Sequence, residues 1–131
     1  MCIFCKIINK EIPSSIVYED ADVLAILDLA QTTLGHTLVM PKKHYANILE
    51  IPDDELAHLM SIVKMLAKRI SDKLGAKGFN LLVNTNEVAG QTVMHLHVHI
   101  IPRYDENDTI KIEFTENKLD LNEIANKINE L

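Results

Sequence analysis

The sequence predicts an α+β fold that combines an antiparallel sheet of short strands with one long helix. The chain has 131 residues, the length of a single domain. Residues 53–74 repeat apolar side chains at spacings of three and four, which is the period of an amphipathic helix. Short alternating segments lie on both sides of this helix, and strands grouped in this way are typical of an α+β domain with an antiparallel sheet.

The first half of the chain supplies three strands and the long helix. Residues 16–28 predict two strands around an acidic turn. Residues 35–40 alternate and stop before Pro41, which suits the end of a third strand. The helix over 53–74 opens on three acidic residues, which its dipole favours at that end, and Gly75 is placed to terminate it.

The second half supplies the remaining strands and a short helix. Residues 79–84 predict a buried strand, and residues 91–101 alternate strictly before Pro102. Residues 109–114 alternate weakly and predict an edge strand. Residues 120–130 carry apolar side chains at helical spacing behind an aspartate that can cap a C-terminal helix.

Composition and charge exclude several classes of protein. Hydrophobic residues make up 47% of the chain and charged residues 24%, too apolar for a disordered protein, and no apolar run is long enough to span a membrane. The net charge of −6 argues against a nucleic-acid partner. Residues 105–131 form an acidic C-terminal extension that carries −5 of this net charge. The core over residues 1–104 is therefore nearly neutral, and its charge is compatible with a small anionic ligand.

The N-terminus MCIFCKIINK contains neither the basic residues nor the apolar stretch of a signal peptide, so a cytoplasmic location is expected. In that compartment Cys2 and Cys5 are a metal-binding pair or free thiols more readily than a structural disulfide.

Three alternating histidines are the most informative feature of the second half of the chain. In a strand, His95, His97 and His99 share one face, while the apolar residues between them pack the other. A single strand histidine is usually structural, but three imidazoles in one row each need hydrogen-bond partners, which favours a function.

Two kinds of chemistry fit this row. Imidazoles bind metals, although three ligands along a straight strand converge poorly, with the outer two about 13 Å apart. A neutral imidazole can also attack phosphorus and form a covalent intermediate, and the middle histidine is best placed for this. Just upstream lie polar residues and a glycine suited to phosphate or a leaving group: Asn84, Gly90, Gln91 and Thr92.

The segment HLHVHII resembles the motif His-φ-His-φ-His-φ-φ (φ hydrophobic) of the histidine-triad (HIT) superfamily of nucleotide hydrolases and transferases. The resemblance covers almost the whole chain, since CIFCKIINKEIPSSIVYED, LAILDLAQTTLGHTLVMPKKH and GQTVMHLHVHIIPR are also similar to family segments. It implies one HIT domain over residues 1–131, with a five-stranded antiparallel sheet, and a homodimer whose sheet continues across the interface.

The resemblance also implies roles for individual residues. His97 matches the nucleophile that attacks the α-phosphate, and His99 matches a phosphate contact. Asp28 matches the acid that binds the ribose hydroxyls of a purine nucleotide or nucleotide conjugate. Further matches are an apolar contact to the nucleoside, a histidine beside the catalytic one, and the phosphate and leaving-group side: Leu29, His36, Asn84, Gly90, Gln91 and Thr92.

The preferred leaving group stays open at this point. Thr92 and the pair Pro102-Arg103 look more like the dinucleoside-polyphosphate (Fhit) branch, whereas the N-terminal segment and the length look more like the bacterial-type nucleoside-phosphoramidase (Hint) branch. A non-catalytic nucleotide-binding regulatory module and, more weakly, a metal-binding structural protein are the alternatives to an enzyme.

A second site is predicted at the N-terminus. Cys2 and Cys5 need two further ligands for a closed tetrahedral zinc site, and His44 and His95 are the candidates. This set looks similar to the zinc ligands of some bacterial HIT members and of the related galactose-1-phosphate uridylyltransferases. A zinc ion held by four protein ligands would be structural. The alternative is a pair of free thiols with a surface histidine nearby.

Overall fold

The computed structural model describes residues 2–130, which form a five-stranded antiparallel sheet and three helices. In chain order the elements are α1 Ile3–Ile8, β1 Ile16–Glu19, β2 Val23–Leu27, β3 Thr37–Pro41, α2 Asp53–Leu74, β4 Gly78–Leu82, a 3-10 turn Glu87–Ala89, β5 Val98–Arg103 and α3 Leu121–Ile128. The strands lie in the order β1-β2-β3-β5-β4. The predicted α+β fold, with its long central helix and short C-terminal helix, is confirmed.

The two faces of the sheet bury different parts of the chain. Because side chains alternate along a strand, β2 sends Val23 and Ala25 towards α2 and sends Leu24 and Ile26 towards α1. In β5 and the segment before it, the apolar residues Leu96, Val98 and Ile100 join the α2 core. The histidines between them are thereby directed to the α1 face.

The long helix follows the sequence prediction at both ends. It begins at Asp53, after Pro52 in an extended conformation, and ends before Gly75, which adopts φ +77°. A left-handed residue after the last turn is a common way to end a helix, and glycine adopts it without a Cβ clash. None of the helices in residues 2–130 is both long and apolar enough to cross a membrane.

Four details correct the sequence predictions. The strand predicted as buried over 79–84 is β4, which lies at the edge of the sheet with Phe79, Leu81 and Leu82 exposed. The strand predicted over 91–101 begins only at Val98 and continues through Pro102 to Arg103. Residues 109–114 form no strand and have no ladder partner among the described residues. Helix α1 was not predicted, because it is six residues long and a cysteine, instead of a typical capping residue, occupies its N-cap.

Candidate active site and metal centre

The nucleophile candidate is buried against α1. His97 is 8% exposed, and the ring of Phe4 meets it edge-on with the ring centroids 4.9 Å apart. Its Nδ1 lies 2.7 Å from the carbonyl oxygen of His95, which can only accept, so Nδ1 carries the proton. This tautomer leaves Nε2 with a free lone pair.

Burial lowers the pKa of His97, although the hydrogen bond to the His95 carbonyl and the charge of Asp28 oppose the shift. The ring is therefore neutral at pH 7. A neutral imidazole with its far nitrogen unprotonated is the form that can attack an electrophile.

A chain of hydrogen bonds fixes the tautomer of His99. The backbone N–H of Thr32 donates to His36 Nδ1 at 3.3 Å, so the proton of a neutral His36 sits on Nε2. That Nε2 lies 2.9 Å from His99 Nδ1, to which it donates. His99 is left with an Nε2–H donor beside His97, whose ring centroid is 4.9 Å away.

Burial, and then repulsion from His97 and His36, lowers the pKa of His99 to about 4, against the opposing charge of Asp28. The carboxylate of Asp28 lies 3.6 Å from His36 Nε2 and accepts the backbone N–H of Ala30 at 2.9 Å. The arrangement thus places two neutral imidazoles, one an acceptor and one a donor, next to one carboxylate.

An apolar cavity of about 150 Å³ adjoins this group. Its wall comes largely from α1, the following loop and the sheet: Ile3, Phe4, Ile7, Ile12, Pro13, Ser14, Ile26, Leu27, Asp28, Leu29 and Leu38. Asp28 is thus a carboxylate on a largely apolar wall, and Leu29 beside it is fully exposed. The α1 residues were missed by the sequence reasoning, because two buried apolar residues, Phe4 and Ile7, are too few to show a helical period. Four larger clefts, of about 320–560 Å³, include neither Asp28 nor Phe4 in their walls.

The loop before the histidine row is held by Gln91. This side chain is 2% exposed; it donates to the carbonyls of Ala46 and Val93, and its oxygen accepts the N–H of Asn86. Its carboxamide is thus used in anchoring the loop. Asn84 donates to the carbonyl of Gly90 at 3.3 Å, Gly90 turns the chain at φ +104°, and Thr92 is exposed.

The four predicted metal ligands also lie close together. The ligand atoms of Cys2, Cys5, His44 and His95 all lie within 4.8 Å of one another. The two Sγ atoms are 3.3 Å apart, His44 Nδ1 is 3.3 Å from Cys5 Sγ, and His95 Nδ1 is 3.5 Å from Cys2 Sγ. A tetrahedron with metal–sulfur bonds of about 2.3 Å and metal–nitrogen bonds of about 2.0 Å has edges of roughly 3.3–3.8 Å. The four residues therefore fit a tetrahedral metal ion.

The hydrogen bond on the far side of His95 supports the same conclusion. Its Nε2 lies 2.8 Å from the carbonyl oxygen of Pro41, so Nε2 carries the proton and Nδ1 presents its lone pair to the cysteines. Metal-binding histidines usually make such a bond, which fixes the tautomer. With four protein ligands the site has no open position, so a bound ion would hold structure and supply no catalytic water.

The HIT domain family model matches residues 9–106 of the chain. The chain belongs to the HIT domain family. An uncharacterized HIT-like protein of Methanocaldococcus jannaschii is 52% identical over 129 residues, 98% of each chain. The crystal structure of a HIT family member from Bacillus subtilis superposes with a TM-score of 0.91 at 45% identity, covering 97% of this chain and 94% of that one.

Other HIT relatives carry functional names. An adenosine 5'-monophosphoramidase of Saccharomyces cerevisiae is 39% identical over 130 residues, 99% of this chain and 80% of that protein. An adenylylsulfatase of Arabidopsis thaliana is 42% identical over 106 residues, 81% of this chain and 54% of that protein. A zinc-bound histidine triad family protein from Mycobacterium smegmatis superposes with a TM-score of 0.79 at 34% identity, covering 83% and 79% of the two chains.

Within this HIT domain, the Pro102-Arg103 pair has a structural role. Arg103 donates through Nε to Asp108 at 2.9 Å and through an Nη to Asn80 at 2.7 Å. The carbonyl of Pro102 accepts the hydroxyl of Thr33. Both residues are thus occupied within the fold, and neither lines the cavity beside the histidines.

Proposed function

We propose that this HIT protein is a nucleotide hydrolase that releases a nucleoside monophosphate from its leaving group through a nucleotidyl group on His97. The observation that carries the proposal is the tautomer of His97, with Nδ1 donating to the His95 carbonyl and Nε2 free and neutral. The functions named for its yeast and plant relatives, a monophosphoramidase and an adenylylsulfatase, support the same class of reaction.

The reaction divides into two displacements at the α-phosphorus. As the Nε2–phosphorus bond forms, the bond from phosphorus to the leaving group breaks, and the leaving group departs with its electron pair and takes up a proton from solvent. Water then attacks the same phosphorus and gives up a proton to solvent, the Nε2–phosphorus bond breaks with its electron pair returning to the imidazole, and the monophosphate is released. In this scheme the Nε2–H of His99, beside His97, would donate to a phosphate oxygen whose charge grows in each step.

The nucleoside is assigned to the cavity beside α1. Its apolar wall suits a purine base, and Asp28 is the carboxylate that would accept hydrogen bonds from the ribose hydroxyls. Leu29, next to Asp28, would cover the base from the open side, where it now lies fully exposed. Asn84 and Thr92, with the backbone at Gly90, lie on the loop assigned to the leaving-group side, and Gln91 holds that loop in place.

We assign phosphoramidates as the preferred substrates, because Arg103, one of the residues similar to the dinucleoside-polyphosphate branch, is engaged within the fold. Rates with adenosine phosphoramidate and with diadenosine triphosphate test this choice. Faster hydrolysis of the dinucleotide would reverse it.

Substitution of the nucleophile tests the enzyme against a regulatory binding module. The His97→Ala variant should lose hydrolysis of adenosine phosphoramidate while keeping AMP binding, measured by calorimetry. His58→Ala is the matched control, since His58 lies on α2 and contacts Asp20, outside the site. Wild-type turnover by His97→Ala would refute the covalent mechanism, and no turnover by the parent protein would favour the binding module.

Zinc is the proposed metal at the four-residue group, because two thiolates and two imidazoles are its usual ligands in a closed site. Metal analysis of protein purified with supplemented zinc should give about one zinc per chain. The Cys2→Ser/Cys5→Ser double variant should contain none. A parent protein without zinc after this preparation would retire the assignment.

A homodimer is proposed from the exposed apolar surface. Strand β4 is at the edge of the sheet, and Phe79, Leu81 and Leu82 on it are 43–44% exposed. In the described chain no side chain of α3 is buried, although the helix carries Leu121, Ile124 and Ile128. Light scattering should give twice the chain mass of 14.8 kDa, and Leu81→Glu should reduce it. A monomer at micromolar concentration would refute the dimer.

A further inference from the structure

Helix α1 separates the nucleoside cavity from the metal centre and contributes to both. Three of its residues, Ile3, Phe4 and Ile7, line the cavity, while Cys5 belongs to the metal-binding group. The helix has only six residues. A helix this short is not stable by itself in water, so contacts at its two sides must hold it.

One of these contacts is the ring of Phe4. It is 7% exposed and meets two imidazoles edge-on, with centroid distances of 4.9 Å to His97 and 5.9 Å to His95. The same ring forms part of the cavity wall. Its position therefore affects the nucleophile and the nucleoside cavity at once.

The other contacts are made by the cysteines. Cys2 Sγ caps α1 by accepting the N–H of Cys5 at 3.2 Å, and both sulfurs face His95 Nδ1, at 3.5 and 3.6 Å. His95 in turn accepts the Nδ1–H of His97 through its carbonyl oxygen. The metal-binding group thus reaches the nucleophile by two routes, through the backbone of His95 and through Phe4.

We propose that Phe4 is a positioning residue for His97 and for the nucleoside, and that metal binding at the cysteines sets its position. This inference rests on the proposed nucleotide function. A metal ion that joins Cys2 and Cys5 to His44 and His95 orders α1 before the nucleotide binds. The α1 side of the nucleoside cavity is then already in place when the nucleotide binds. Metal and nucleotide consequently bind with positive cooperativity, and each raises the affinity for the other by the same factor.

The test measures both affinities on the full chain. AMP is titrated by calorimetry into protein freed of metal with a chelator and into the same protein with one equivalent of Zn²⁺. The affinity for Zn²⁺ is measured by competition with a chromophoric chelator, with and without saturating AMP. We expect AMP to bind roughly tenfold more weakly to the metal-free protein, which lies within the usual range of coupling between two sites. Saturating AMP should raise the affinity for Zn²⁺ by the same factor.

Two variants separate positioning from general stability. Phe4→Leu keeps an apolar side chain on α1 but removes the ring that touches both imidazoles. It should retain the parent's Zn²⁺ affinity in the absence of AMP, while AMP affinity and kcat fall several-fold. His58→Gln is the matched control, because His58 lies on α2 beside Asp20 and Asp22, apart from both sites, and it should leave both affinities unchanged.

Equal AMP affinity with and without Zn²⁺ would overturn this proposal and leave the proposed function intact. Failure of AMP to bind either form would refute the proposed function and this inference with it. If circular dichroism shows that the metal-free chain has lost its fold, the zinc-loaded Phe4→Leu variant decides: parental AMP affinity and kcat there would overturn the role of Phe4.

Discussion

Gly35 holds the loop that carries His36 against the end of α2, and replacing it with alanine should destabilise the protein. Its φ is +90°, and a Cβ built on it would lie 2.6 Å from Leu74 Cδ1, 3.3 Å from Ile70 Cγ2 and 3.4 Å from Pro102 Cγ. The methyl end of Leu74 can move, since Leu74 is 42% exposed, whereas Ile70 is only 8% exposed and has little room.

The expected cost has two parts. A left-handed conformation costs an L-residue about 1–2 kcal/mol, and forcing a methyl group into a packed region adds about 1 kcal/mol. The sum is about 2–3 kcal/mol. For a chain of this length such a change lowers Tm by roughly 7–11 °C.

Gly75→Ala is the matched control, because Gly75 has a similar φ of +77° and nothing within 4 Å of an added Cβ. It should carry only the conformational cost. Urea unfolding followed by circular dichroism, at one protein concentration, gives both values. If Gly35→Ala is no more destabilising than Gly75→Ala, the packing of the His36 loop against α2 is wrong.

Three further predictions concern the site. His36→Ala removes the donor to His99 Nδ1 and should lower kcat about tenfold, which corresponds to one hydrogen bond of ~1.4 kcal/mol. The His36→Gln variant should recover part of this loss. An unchanged kcat in His36→Ala would contradict the chain of hydrogen bonds. His99, whose pKa burial lowers to about 4, should stay neutral down to pH 5 in an NMR titration. Because an unfolded histidine takes up its proton near pH 6.5, stability should fall as the pH drops from there towards 4, and a pKa of about 6.5 in the folded protein would refute this environment. Gln91→Ala leaves two backbone carbonyls and one N–H without partners and should cost about 3 kcal/mol, seen as a lower Tm; a loss below about 1 kcal/mol would mean that water replaces these bonds.

The long helix could be predicted to its end residues because all of its signals are local. Its apolar period, the acidic first turn and Gly75 lie within one segment, and tertiary contacts did not override them. The sharing of one face by the three histidines also followed from local alternation, and it holds in the segment before β5 as well as in the strand, since Leu96, Val98 and Ile100 all pack in the α2 core.

The start of β5 could not be predicted, because a non-local hydrogen bond contributes to it. The N–H of Leu96 donates to the carbonyl of Tyr45, which lies far away in the sequence, so this N–H is not free for the ladder. The alternating pattern contains no sign of this bond. Residues 109–114 alternate weakly, as a strand would, but the sheet ends at β4. Among the described residues no strand pairs with this segment, so the pattern does not lead to a strand.

Helix α1 could not be predicted because it is too short to carry clear helical signals. Its capping group is a cysteine sulfur, and its apolar residues are too few to display a period. The cavity proposed for the nucleoside was therefore indicated in the sequence only through Asp28 and Leu29, and its α1 wall became visible only in the fold.

The proposed covalent step at His97 is tested most directly by an attempt to trap the intermediate. The protein is mixed with adenosine phosphoramidate, quenched in alkali because a phosphorus–imidazole bond hydrolyses in acid, and analysed by mass spectrometry of the intact chain and its peptides. The free Nε2 of His97 predicts one adenylyl group per active chain, on the peptide that contains His97, and none in His97→Ala. An adenylyl group on another residue, or rapid turnover by the parent with no adduct at any time point, would contradict the account.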